Sequence, residues 1–135
     1  MRPVDQTRFG APDGNCMEAC VASILELELG GVPDLAVSGD DWHDTLADFL
    51  ARFDLEPLEL DARKTRGIWV PTGFHIISGK SPRGNFLHAV VGLGGKMVHD
   101  PHPNREGLAK EEQWIVFVVR FLSDTLNPAK VERNL

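Results

Sequence analysis

Residues 14–25, GNCMEACVASIL, are apolar on almost every side once position 16 is passed: Met17, Ala19, Cys20, Val21, Ala22, Ile24 and Leu25, with Leu27 and Leu29 continuing the run. A helix on a protein surface carries a single apolar stripe, so a helix apolar all round belongs at the centre of the fold. Its start is marked. Gly10, Pro12, Asp13 and Gly14 break regular structure before it. Asn15 suits the N-cap, because its side-chain oxygen can accept from an N–H of the first turn. Glu18, three positions on, completes the spacing of a capping box. Cys16 then opens the helix beside unpaired N–H groups and the positive end of the helix dipole, which favours the nucleophilic thiolate.

The 135 residues suffice for one domain with a core of its own, and the charged fraction of 25% argues against disorder. No stretch has the apolar length of a membrane span, and the opening MRPVDQTRFG lacks the character of a signal peptide. The two cysteines, four apart on one helix, are badly placed to bond to each other, which suits a reducing, cytoplasmic setting. Net charge is −6, and it is unevenly spread: residues 18–61 hold twelve acids against the single base Arg52. Such a chain has no nucleic-acid footprint.

Residues 1–14 read as an irregular arm. Gly30-Gly31 and Pro33 stop the first helix. A second helix is predicted from about residue 40 to 53, where Trp42, Leu46, Phe49, Leu50 and Phe53 fall at helical spacing behind Asp40, Asp41 and Asp44. Strands follow: a short one around Leu58 and Leu60, another at residues 68–70, and one from Phe74 to Ile77. Residues 86–93 and 96–99 form a hairpin about Gly94-Gly95. Residues 101–113 are a polar connection, and 114–122 a long apolar run suited to a central strand. The tail, 123–135, permits a short helix at most. Helices first and an antiparallel sheet second make an α+β fold, with the N-terminal helix packed on the sheet.

The hairpin holds His88 early in its first strand and Asp100 just past its second. A cysteine nucleophile needs an imidazole to take the thiol proton and return it to a leaving group, and a carboxylate to fix the ring. Singly these residues are commonplace; in this order, each on its own element, they point to thiol catalysis. The hairpin's register tests the idea. With a plain two-residue turn, Leu93 pairs with Lys96 and Ala89 falls opposite Asp100, which puts Asp100 and His88 on opposite faces. An odd-length loop, or a bulge near Gly92 or at the Asp100 end, is required to bring them to one face.

These motifs together resemble the papain-like cysteine peptidase superfamily, and within it the bacteriocin-leader-processing, C39-type peptidase domains. The resemblance lies in Gln6, in Asn15-Cys16-Met17-Glu18-Ala19-Cys20 at the head of an apolar helix, in His88-Ala89-Val90-Val91 on a strand, and in Asp100-Pro101. It spans residues 6–122 and differs in Met17, where the family has glycine, and in a longer spacing from Gln6 to Cys16. It implies a papain-like fold, Cys16 as nucleophile, His88 as base and Asp100 as orienting acid. Gln6 and the Cys16 backbone N–H would hold the oxyanion. The expected activity is a peptidase or isopeptidase acting on a peptide or protein, without cofactor or metal.

Other readings use the same residues. The same triad supports deamidation or acyl transfer. A catalytically inactive fold of this kind would bind a peptide or protein. A zinc module would draw on Cys16, Cys20, His88, His99 and His102. Cys20 reads as a buried structural thiol, His99 and His102 as a solvated rim, and Trp69 and Trp114 as packing. His43 and His75 have no evident partners. The loop at 79–84, just before the His88 strand, has the place of a loop bordering the cleft, and it lacks the longer Gly-rich run of a phosphate-binding loop.

Overall fold

The computed structural model describes residues 1–36 and 38–120. Helix α1, Cys16–Leu25, is followed by a short 3-10 turn, Leu29–Gly31. Helix α2 is Trp42–Leu50, entered through a 3-10 turn at Gly39–Asp41 and left through another at Ala51–Phe53. Then come β1 Leu55–Asp61, a one-turn helix α3 Ala62–Thr65, β2 Phe74–Lys80, β3 Leu87–Leu93, β4 Lys96–His99 and β5 Lys110–Val119. The five strands form one antiparallel sheet in the order β1-β5-β2-β3-β4. The α+β class with its N-terminal helix on an antiparallel sheet is what the chain forms.

Two cores sandwich the sheet. On one face Cys20, Val21 and Ala22 of α1 and Leu46, Phe49 and Leu50 of α2 pack on Ile76, Ala89, Val91 and Ile115. On the other, Ala62 of α3 meets Ile77, Val90 and Trp114. Strands β2 and β3 are therefore buried on both faces at their five middle residues. That is why Ala89-Val90-Val91 of β3 and Ile76-Ile77 of β2 read as adjacent apolar residues and not as alternation. Each fully buried Leu46, Leu50 or Ile76 contributes about 1.5–3 kcal/mol, far more than helix or strand propensity at one site.

Several expectations need correction. Helix α1 ends at Leu25, because Glu26 turns left-handed (φ 58°) well before Gly30. The stretch 68–70 is no strand: the N–H groups of Ile68 and Trp69 both reach back to Thr65 O, and Ile68 is 88% exposed. Strand β5 begins at Lys110, inside the predicted connection. It has a neighbour on each side, though the middle of the sheet belongs to β2. The end of its predicted run, 121–122, and the tail at 123–135 lie outside the described residues. The arm at 1–14 is tied down. The Arg2 N–H donates to Ser23 O, the Val4 N–H to Ser23 Oγ and the Gln6 N–H to Pro101 O. No helix among the described residues is long and apolar enough to cross a membrane.

The hairpin turns on Gly94 and Gly95, with φ of 63° and 78°. Two positive φ values make the tight turn whose twist suits paired strands. Leu93 pairs with Lys96 and Gly92 with Met97, but Val91 pairs with His99, so Val98 is an extra residue. The loop is even and the parity is changed by a bulge. Beyond it Asp100 shares a face with Val90 and His88.

Candidate active site

Helix α1 brings Cys16 to the edge of the sheet at the start of β3. Asn15 precedes it but does not cap it. Asn15 Oδ1 accepts instead from the N–H groups of Thr7 (3.0 Å) and Arg8 (2.9 Å), and its Nδ2 donates to Thr7 Oγ1. The capping box is absent, and the first-turn N–H groups have no side-chain cap. Asn15 thus fastens the arm to the helix start and leaves the Cys16 N–H open to a ligand.

His88 is 3% and Asp100 2% exposed. The ring Nε2 donates to Asp100 Oδ1 across 2.8 Å, which leaves Nδ1 for the Cys16 side. Asp100 is held from behind. Oδ1 also accepts from the His102 N–H (2.9 Å), Oδ2 accepts from the Gly107 N–H (2.7 Å), and the Asp100 carbonyl accepts from Arg105 Nη1. Burial by itself would lower the proton affinity of His88. Hydrogen bonds to Asp100 and Cys16 and the charges of both outweigh it and raise the pKa to about 9. Burial pushes the Asp100 carboxyl the other way, but the bonds from His88, His102 and Gly107 hold it below the ordinary range.

Cys16 and His88 share a cleft of about 390 Å³. Its walls are mostly apolar: Met17 of α1, Leu35 and Trp42 on the way into α2, and Leu87, Ala89 and Ile115 of the sheet. Glu18, one of its few polar groups, is nearly buried. Its Oε2 has no hydrogen-bond partner, and Arg8 Nη2 lies 4.0 Å away. Burial raises its pKa to about 7, with Asp34 adding to the rise and a bond to its own backbone and Arg8 opposing it.

The structure therefore brings Cys16, His88 and Asp100 together and leaves Gln6 out. The Gln6 side chain is buried, its Nε2 donates to Arg8 O, and it does not line the cleft. Cys20 is fully buried, and burial pushes its thiol up. His99 is no rim residue: it is 8% exposed and its Nε2 donates to Val4 O (2.9 Å). His102 packs edge-on to His88 and Phe9. His43 meets Glu59 (3.4 Å). His75 is buried against Trp114 with Nδ1 on Gly73 O. The zinc arrangement does not form: no three His, Cys, Asp or Glu side chains among the described residues converge on a metal position. Leu87, not the 79–84 loop, borders the cleft.

Sequence reasoning missed three contributors. Gly107 and Arg105 sit in the polar connection, where Gly107 acts through a backbone N–H that leaves no sequence signature and Arg105 through a guanidinium whose target only the fold supplies. Glu18 did carry a signal, an acid inside an otherwise apolar helix, which the capping box explained away. Among protein-family models, curated proteins and solved structures, none matches this chain.

Proposed function

We propose that the protein is a cysteine hydrolase of papain-like architecture, a peptidase or isopeptidase working through an acyl-enzyme on Cys16. The observation that carries this reading is the 2.8 Å bond from His88 Nε2 to Asp100 Oδ1, with Cys16 at a helix N-terminus on the ring's other side. Cys16 Sγ, its proton passed to His88, attacks the substrate carbonyl and forms a tetrahedral intermediate. The Cys16 N–H faces the developing oxyanion. His88 protonates the leaving nitrogen, the C–N bond breaks, and a thioester remains. Water then attacks that thioester with His88 as base, releasing the acid and restoring the thiol. Asp100 keeps the ring in one tautomer and orientation throughout. The two free cysteines suit a reducing compartment such as the cytoplasm.

Brief iodoacetamide treatment of the native protein at neutral pH, followed by peptide mapping, tests the site. Modification should fall on Cys16, with Cys20 untouched, and should slow in His88→Ala. A panel of peptidyl, ubiquitin-like and glutamine-amide warheads should label the wild type and not Cys16→Ala. Equal alkylation of both cysteines, or rates indifferent to His88, would sink the proposal.

A further inference from the structure

The floor of the cleft carries two polar side chains that the proposed chemistry does not use. On the sheet face packed against α1, Ile76, Ala89, Val91 and Ile115 belong to the core. Strand alternation puts Ser78 on that face, two residues after Ile76, and Gln113 on it too, two before Ile115. The register sets them in a row across the sheet: Ala89 of β3 opposite Ser78 of β2, and Ser78 opposite Gln113 of β5. All three line the cleft, and Ala89 adjoins His88. Ser78 is only 9% exposed, yet its hydroxyl makes no hydrogen bond among the described residues, and neither does the side-chain amide of exposed Gln113. A nearly buried hydroxyl without a partner is costly, and a ligand that bonds to it recovers that cost. Beyond Gln113 the row closes at Asp61, whose carboxylate is taken up by the N–H groups of Arg63 and Lys64.

We infer that Ser78 and Gln113 are specificity-determining residues, which seat a glutamine side chain of the substrate near the bond that is cut. The two partners are neutral, and each both donates and accepts. A primary amide, with two N–H donors and an acceptor oxygen, bonds to both at once. A carboxylate only accepts and an ammonium only donates, and either brings into an apolar cleft a charge that these neutral partners cannot offset. The two methylenes of glutamine lie against Leu35, Trp42 and Ile115, a stem that serine and threonine lack. A methionine of the same length fits the walls but leaves the Ser78 hydroxyl unpaired, which a site of this kind penalises. The inference rests on the proposed hydrolase for the bond cut; the binding preference is read apart from turnover.

The test uses the full chain carrying Cys16→Ala and fluorescein-labelled, alanine-based hexapeptides with one glutamine, moved along the peptide. Matched sets carry methionine or glutamate in its place. By fluorescence anisotropy, the best glutamine peptide should bind about ten-fold or more tightly than its methionine and glutamate matches. The gap over methionine should be the same at low salt and at about 0.5 M salt, because no charge is involved. Adding Ser78→Ala should reduce that gap about three-fold or more without lowering the melting temperature, since the hydroxyl it removes has no partner in the protein. Gln113→Leu, at an exposed position, should reduce it similarly, and the two substitutions together should turn the preference toward methionine. Equal binding of the three sets, no binding by any, or a gap intact in both single variants would overturn the inference. Wild-type cleavage of all three sets at equal rates would overturn it and leave the hydrolase standing. Glutamine-selective binding without cleavage of any peptide would uphold the preference and count against the hydrolase.

Discussion

Asp100 accepts three N–H donors with two oxygens, from His88, His102 and Gly107. An amide offers a single acceptor oxygen, so Asp100→Asn must turn an NH₂ toward one of these donors and lose the charge facing His88. Under the proposed chemistry kcat/KM should fall by about 10²- to 10⁴-fold with little change in fold; a loss below about five-fold would remove Asp100 from the mechanism. Glu18 and His88 also set a pH dependence of stability. Both have folded-state pKa values above their ordinary ones, about 7 for Glu18 and about 9 for His88. Such groups stabilise the fold below the unfolded pKa, and the benefit is lost as pH rises through the folded one. Melting temperature should therefore fall across pH 4.5–7 as Glu18 ionises and again across pH 6.5–9 as His88 loses its proton. Glu18→Gln should flatten the lower limb and leave the upper, a difference of at most about 3 kcal/mol above pH 7. Melts of both proteins between pH 4 and 9 decide this, and parallel curves would contradict it. At this scale the sequence named the three residues that meet, since each type announces its chemistry. It did not reveal that Asn15 and Gln6 serve the arm, because polar side chains choose among neighbours that only the folded chain supplies.

Among the elements, the hairpin was the most legible, because strand parity permits only two outcomes. The parity of the pairing required either an odd-length loop or a bulge, and the chain uses a two-residue turn at Gly94-Gly95 with Val98 as the bulge. The stretch 68–70 went wrong for a related reason: β-forming residues make a strand only with an edge to join, and α3 with its following turn takes the chain elsewhere. The bulge gives an unusual prediction for a deletion. Val98 is 46% exposed, and the pairs Gly92–Met97 and Val91–His99 already stand on either side of it. Removing Val98 leaves both pairs in register and Asp100 on the face of His88. That variant should keep at least about a tenth of the wild-type rate. An alanine inserted between His99 and Asp100 puts the inserted residue in the facing position instead and should abolish turnover. Reversal of that order, measured with one substrate, would show that Asp100 is placed by its loop and not by strand parity.

For the molecule as a whole, the difficulty of the site is that its parts come from opposite ends of the chain. Cys16 rides on α1, while His88 and Asp100 come from the hairpin. The arm spans that gap. It grips α1 through Arg2 N–H to Ser23 O and Val4 N–H to Ser23 Oγ. It grips the hairpin end through His99 Nε2 to Val4 O, Gln6 N–H to Pro101 O, and the Asp5–Arg105 ion pair at 2.6 Å. Arg105 in turn donates to the carbonyl of Asp100. None of this was legible in MRPVDQTRFG, because most of the bonds use backbone groups that every residue carries. The arm is therefore expected to work as a strap that sets the distance between thiol and imidazole. At about 1 kcal/mol net for each hydrogen bond, deleting residues 1–5 removes roughly 3–4 kcal/mol and should lower the melting temperature by on the order of 10 °C. A purely stabilising arm would leave the surviving folded protein fully active at low temperature. A strap would not: well below the new melting point, alkylation of Cys16 should be slower and less dependent on His88. Arg105→Ala, which spares α1, should reproduce part of that effect with a smaller loss of stability. Unchanged Cys16 alkylation in the folded truncated protein would reduce the arm to a clamp on stability alone.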